Sequence, residues 1–199
     1  MNDFISDIAF TPAVKSVQER KGSRTGYAKM EEKKGGWSDT ISDELKEFIA
    51  ERDSLYLGTA NADGQPYIQH RGGKKGFLKV LDNKTLAFAD FKGNRQYIST
   101  GNLTDNDKAY IFLMDYTYSR RIKIWGTAKV VDNDPELLAR LQDNDYKGVP
   151  EQAMVFTITA WDVNCPQHIP KLFDQEQVGK MIAPLQARIA ELEARLQVA

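Results

Sequence analysis

Two loops between residues 66 and 126 join glycine to cationic and amide side chains. His70-Arg71-Gly72-Gly73-Lys74-Lys75-Gly76 closes one strand-like segment, and Phe91-Lys92-Gly93-Asn94-Arg95-Gln96 leads from another towards a helix. Glycine lets the backbone approach a ligand closely, arginine presents a planar fork of donors, and a helix N-terminus attracts anions. These parts suit the holding of a phosphorylated ligand. Ser119-Arg120-Arg121-Ile122 adds two further arginines at the start of a later strand. His70 is a candidate ligand contact through its place beside the first loop. His168 lies in a loop, Asn164-Cys165-Pro166-Gln167-His168, that could reach a partner's pocket or simply face solvent. Cys165 has no base or second thiol near it in sequence and reads as a packing residue. No side chain stands out as a catalytic acid or nucleophile, which is compatible with chemistry carried by a cofactor.

The elements that must position these groups are mostly strands. Ser42-Asp43-Glu44-Leu45 supplies a cap and early acids for a helix to about Arg52, with Leu45, Phe48 and Ile49 on one face. Ser54–Thr59 and Pro66–Arg71 flank an Asp63-Gly64 turn and form a hairpin. Phe77–Leu81 and Thr85–Ala89 form a second hairpin, a short helix covers about Asn94–Leu103, and Lys108–Asp115 and Arg121–Val131 continue the sheet. Asp134-Pro135 starts a helix carrying Leu137, Leu138 and Leu141, and Val155–Trp161 is a last strand. Six or seven short antiparallel strands with few helices predict a mainly β closed or split barrel. Residues 1–40 read as an N-terminal arm with one short helix near Pro12–Glu19 and Gly35-Gly36 towards its end. Residues 41–170 form the barrel domain, and 171–199 a C-terminal helix.

Composition sets outer limits. The chain has 199 residues, 41% hydrophobic and 28% charged, enough to bury a sizeable core. A formal net charge of −1 gives no broad reason to expect nucleic acid or an acidic membrane as partner. No apolar run nears the roughly 20 residues that span a bilayer. The acidic start, MNDFISDIAF, lacks the pattern of a signal peptide, so the cytoplasm is the expected location. One cysteine and two histidines leave no disulfide framework and little for a metal site.

The order of hairpin, HRGG loop, hairpin, DFKGNRQ into a helix, strand and SRRIKIWG resembles the FMN-binding split-barrel family, the pyridoxamine 5′-phosphate oxidase-like flavoproteins. The resemblance covers about Leu55 to Val131. It implies a six-stranded split barrel, a homodimer and FMN held at the dimer interface. It also assigns roles. Arg71 stands where the oxidases begin their flavin-binding segment, the Gly72-Gly73 backbone would flank the ring, and Lys74 and Lys75 would continue towards the phosphate. Asn94 and Arg95 occupy the place of an Arg-Lys pair at the helix start, which makes Arg95 the expected phosphate ligand. Phe88 and Ala89 replace a Tyr-Thr pair, and Arg121 replaces a glutamine that faces the flavin. The oxidases' C-terminal tryptophan-and-arginine segment and their substrate-phosphate residues have no counterpart. Oxidation of pyridoxamine phosphate is therefore not the expected activity.

The expectation is an FMN-dependent oxidoreductase, reduced by NAD(P)H and passing electrons to a small organic acceptor or to oxygen. A non-enzymatic flavin store or sensor, or a haem or deazaflavin binder of the same fold, is the alternative. The tail gives a separate signal. Val178, Ile182, Leu185, Ile189, Leu192 and Leu196 alternate spacings of four and three, with isoleucine mostly at heptad position a and leucine mostly at d. This pattern suits a parallel two-stranded coiled coil between partners. An apolar stripe packed on the chain's own barrel is the other reading.

Overall fold

A computed structural model describes residues 4–33 and 37–198. Gly35 and Gly36 lie outside the described residues. The chain divides into two compact units, 1–114 with 121–164, and 115–120 with 165–199.

The first unit holds the sheet. A 3-10 turn at Ile5–Ile8 precedes α1 (Pro12–Arg20) and α2 (Arg24–Glu32). The second of these helices was not expected from the sequence. In α3 (Asp43–Ala50), Ser42 accepts a hydrogen bond from the Leu45 N–H, and Leu45, Phe48 and Ile49 are buried. The strands are β1 (Ser54–Ala60), β2 (Pro66–Gly72), β3 (Lys79–Val80), β4 (Thr85–Phe91), β5 (Lys108–Asp115), β6 (Arg120–Val131) and β7 (Pro150–Val163). Helix α4 (Ile98–Asp105) precedes β5, and α5 (Pro135–Leu141) precedes β7.

The strands form one sheet in the order β2-β1-β5-β6-β7-β4-β3. All the strand pairs described are antiparallel. Strands β2 and β4 are far apart in this order, yet Arg71 Nη1 on β2 lies 2.6 Å from Asp90 Oδ1 on β4. The sheet therefore rolls up until its ends meet through side chains, as a split barrel does. Leu55, Leu57, Leu86, Phe88, Ile111, Leu113, Ile122, Ile124 and Phe156 fill its interior. A smaller cluster under α5 holds Ala87, Ala89, Leu141 and Ala153.

The structure differs from the expected elements at three points, while its seven strands agree with the six or seven read from the sequence, the shortest being the two-residue β3. Phe77 and Leu78 are not in that strand; they are buried in the turn before it. Helix α4 begins at Ile98 and not near Asn94, because Arg95 and Tyr97 take left-handed backbone with φ of 61° and 52°. Strand β7 starts five residues early, since it pairs with β4 on one side and β6 on the other.

The register of β6 against β7 shifts between Trp125 and Gly126. A Cβ at Gly126 would sit 2.0 Å from the Thr157 carbonyl oxygen, so only glycine fits this bulge. The outer face of the sheet is aromatic. Tyr56 on β1 is opposite Phe112 on β5 and His70 on β2, and Tyr110 meets Trp125 edge-on at 5.1 Å. The N-terminal segment covers one end of this face: Trp37 stacks on Trp125 at 4.6 Å, and Phe10 lies 5.3 Å from Trp37. Ile68, on the β2 edge, stays 69% exposed.

In the second unit the Thr117 hydroxyl bonds the Leu172 carbonyl at 3.0 Å, and α6 (Gln175–Val198) runs on through Pro184.

Candidate functional site

Alternation along β2 turns Tyr67, Gln69 and Arg71 to one side and Ile68 and His70 to the other. The first set lines a cleft of about 220 Å³, together with the loop 93–97, the first turn of α4, and Asp90 and Glu151.

Two groups of polar bonds lie along this cleft. Arg71 donates to one oxygen of the buried Asp90, and the other accepts from Gln152 Nε2 at 2.8 Å. Gln152 also reaches Thr100 Oγ1 at 3.0 Å, and Ser99 Oγ donates to Gln69 Oε1 at 2.9 Å. Strands β2, β4 and β7 are thereby tied to the start of α4. One buried donor, Arg71 Nε, has no partner. A buried unpaired donor on a cationic group is costly unless a ligand meets it.

The rim is built by strained backbone. Arg95 Nε donates to the Tyr97 hydroxyl at 3.1 Å, and that hydroxyl donates to Glu151 Oε1 at 2.7 Å. The hydrogen bond to Tyr97, and then the nearby charge of Glu151, hold the Arg95 guanidinium above its ordinary pKa. Asn94 Oδ1 accepts from the Gln96 N–H at 3.2 Å and shapes the turn. Tyr97 is left-handed and no side chain caps α4, whose first residues, Ile98, Ser99 and Thr100, line the cleft.

Chemically the cleft combines two arginines with two carboxylates, so its formal side-chain charge is balanced. An anion binding here would rely on directed donors, Arg71 Nε and the α4 N–H groups, more than on surplus positive charge.

Of the residues singled out in sequence, Arg71, Asn94 and Arg95 line this one cleft. His70 faces outward, its ring 5.7 Å from Tyr56. Gly72 and Gly73 are closely met by the chain itself: a Cβ on Gly73 would lie 2.7 Å from Phe77 Cβ, and one on Gly72 3.2 Å from the Asp53 carbonyl. Lys74 pairs with Asp145, whose carboxyl this lysine holds below its usual range. Lys75 is exposed. Phe88 and Ala89 are buried, the first in the main core and the second under α5. Arg121 starts the outward face of β6, where its charge favours ionisation of Tyr110, although burial outweighs it and pushes Tyr110 up to about 12. Cys165 and His168 are exposed.

Sequence reasoning missed Gln69, Tyr97, Ser99, Thr100, Glu151 and Gln152, and it missed Asp90. A readable sign of Asp90 was a carboxylate inside the otherwise apolar run Leu86–Phe91. Among the described residues no group of three or more histidine, cysteine or acidic side chains could hold a metal ion. No described helix is long and apolar enough to cross a membrane.

The profile of the family described as pyridoxamine 5′-phosphate oxidase matches residues 41–165. The chain belongs to this family. The matched residues contain the barrel and the whole cleft, and α6 lies beyond them. Among solved structures, HupZ of Group A Streptococcus is 20% identical, with a TM-score of 0.52 over 67% of this chain and 99% of that one. A histidine-to-alanine variant of HupZ aligns at 20% identity and a TM-score of 0.51, covering 62% and 99% of the two chains. An FMN-binding protein from Syntrophomonas wolfei subsp. wolfei is 17% identical, with a TM-score of 0.48 over 74% and 97%. The two HupZ likenesses show a shared fold. No curated protein sequence matches the chain.

Proposed function

We propose that this protein is a homodimeric FMN-dependent oxidoreductase in which the cleft beside Arg71 receives the FMN phosphate. The observation that carries the reading is the buried, unpartnered Arg71 Nε on a cleft that also holds Arg95 and the uncapped start of α4. This donor set fits a phosphate, which accepts several directed hydrogen bonds at once. Ser99 and Thr100 add hydroxyls to the same wall. Asp90 and Gln152 would hold the Arg71 fork in place while its remaining N–H groups bind.

The size of the cleft supports a two-chain site. Its volume of about 220 Å³ falls below the roughly 300–1,000 Å³ of sites that enclose a small ligand. A second protomer would supply the missing wall, and the exposed Ile68 edge beside Tyr56 and Phe112 is apolar enough to meet it.

Bound FMN supplies transfer of hydride or single electrons at its ring. The side chains described here would bind, orient and exclude water. None of the groups lining the cleft is assigned an acid or base role. Reduction by NAD(P)H and reoxidation by a small organic acceptor or oxygen is the corresponding reaction class. The cytoplasm, where NAD(P)H is available and a lone exposed cysteine stays reduced, is its proposed location.

The test is to saturate the purified protein with FMN, remove the excess, and record the visible spectrum before and after anaerobic NADH or NADPH. Retained flavin bands that bleach with the nicotinamide support the reading. Retained flavin that resists both reductants leaves a flavin store, and a haem spectrum without flavin retention overturns the cofactor.

A further inference from the structure

We infer that α6 pairs with α6 of a second copy of this chain as a short parallel coiled coil. This inference rests on the homodimer proposed above. The helix presents Val178, Ile182, Leu185, Ile189, Leu192 and Leu196 along one stripe, with exposures from 39% to 78%. Such a stripe on a 24-residue helix is expensive to leave in water.

Three features choose the occupant. The stripe repeats every 3.5 residues, which is the seam of a supercoil and narrower than the face of a helix lying on a core. Ile182, Ile189 and Leu196 fall at a, with Val178, Leu185 and Leu192 at d, a packing that suits two parallel strands. The flanks also fit like orientation. In a parallel pair Arg188 at g meets Glu193 at the partner's following e position, an attractive contact. An antiparallel pair would set g against g, bringing Arg188 and Arg195 towards their own kind.

Pro184 falls at c, away from the seam, and the helix continues through it. It removes one helical hydrogen bond, so the seam beyond it is about two heptads long. A coil of that length is weak alone. Tethering to an already dimeric barrel raises the local concentration of the two helices to the order of millimolar, which is enough to close it.

The test uses full-length protein carrying Cys165→Ser, with Leu192→Cys at d or Ala194→Cys at the solvent-facing f position. On mild oxidation the L192C protein is expected to form a covalent dimer at least about tenfold faster than the A194C protein, because only facing d positions bring sulfurs within bonding reach. Equal rates, or no cross-link at either position, overturn the coil. Sedimentation of the same proteins under reducing conditions separates the two failures. A dimer without preferential cross-linking at position 192 rejects the coil and leaves the barrel dimer, whereas a monomer rejects both.

Discussion

Arg71 serves two neighbours at once. It neutralises Asp90 within the barrel and leaves Nε buried and unpartnered at the cleft. An alanine here would strand Asp90 as an unpaired buried carboxylate, so lost binding would be confused with lost folding. Lysine keeps the charge beside Asp90 and removes the fork, which makes Arg71→Lys the cleaner probe. Glu151 makes the opposite prediction. It draws on Arg95 through Tyr97, and it places negative charge on the rim. Glu151→Gln should therefore tighten FMN binding by about threefold at low salt, an effect of the size expected for an exposed ion pair. A fluorescence titration reads this directly, and weaker binding in the variant would mean that Glu151 positions Arg95 productively. Tyr110 predicts the alkaline limit. Burial raises its pKa to about 12, above the roughly 10 of an unfolded chain. The folded state then keeps its proton where the unfolded state has lost it, so stability is full below about pH 10 and falls as pH rises towards 12, by roughly 1–2 kcal/mol given the partial exposure of the ring. Urea unfolding of wild type and Tyr110→Phe across that range should show the loss in wild type alone.

At the scale of elements, two pieces of irregular backbone do most of the positioning. The left-handed pair Arg95 and Tyr97 delays α4 by about a turn and brings its uncapped first residues to the cleft. The bulge at Gly126 takes up an extra residue of β7 within its pairing to β6, which runs from Ala153 to Val163. Gly126→Ala would push a methyl into the Thr157 carbonyl, which is backbone and cannot rotate away. A loss of about 2–4 kcal/mol in urea denaturation is expected, whereas Gly101→Ala, exposed within α4, should gain up to about 1 kcal/mol. Much of this architecture was legible in the sequence. The Asp63-Gly64 hairpin, the Ser42 cap and the leucines of α5 are local signals, and each element stands where its pattern put it. Tertiary pairing was not legible. The stretch Pro150–Met154 carries no alternation of its own and becomes strand because β4 and β6 flank it. Asn94 and Arg95 were readable as a loop motif, whereas Glu151 reaches the same cleft, and Gln152 bonds Asp90, only through that unreadable pairing.

At the scale of the whole molecule, the proposed site calls for a second chain. The cleft is small for FMN, and the sheet's outer face leaves Ile68 largely exposed at its β2 edge. If that face joins two protomers, Ile68→Asp should weaken the dimer and FMN retention together, because one interface builds both. Analytical ultracentrifugation beside a flavin-retention assay checks this, and a monomer that still holds FMN tightly would separate the two. The N-terminal segment contributes from the other end of the face, where Trp37 covers Trp125. The central claim is that the Arg71 cleft is a phosphate site, and the direct measurement is a paired titration of wild type and Arg71→Lys with FMN and with riboflavin, which lacks the phosphate. The account predicts that wild type binds FMN about tenfold to a hundredfold more tightly than riboflavin, as charged hydrogen bonds to a phosphate would give, and that Arg71→Lys removes most of that difference while leaving riboflavin binding unchanged. Equal affinities for the two flavins in wild type would contradict it.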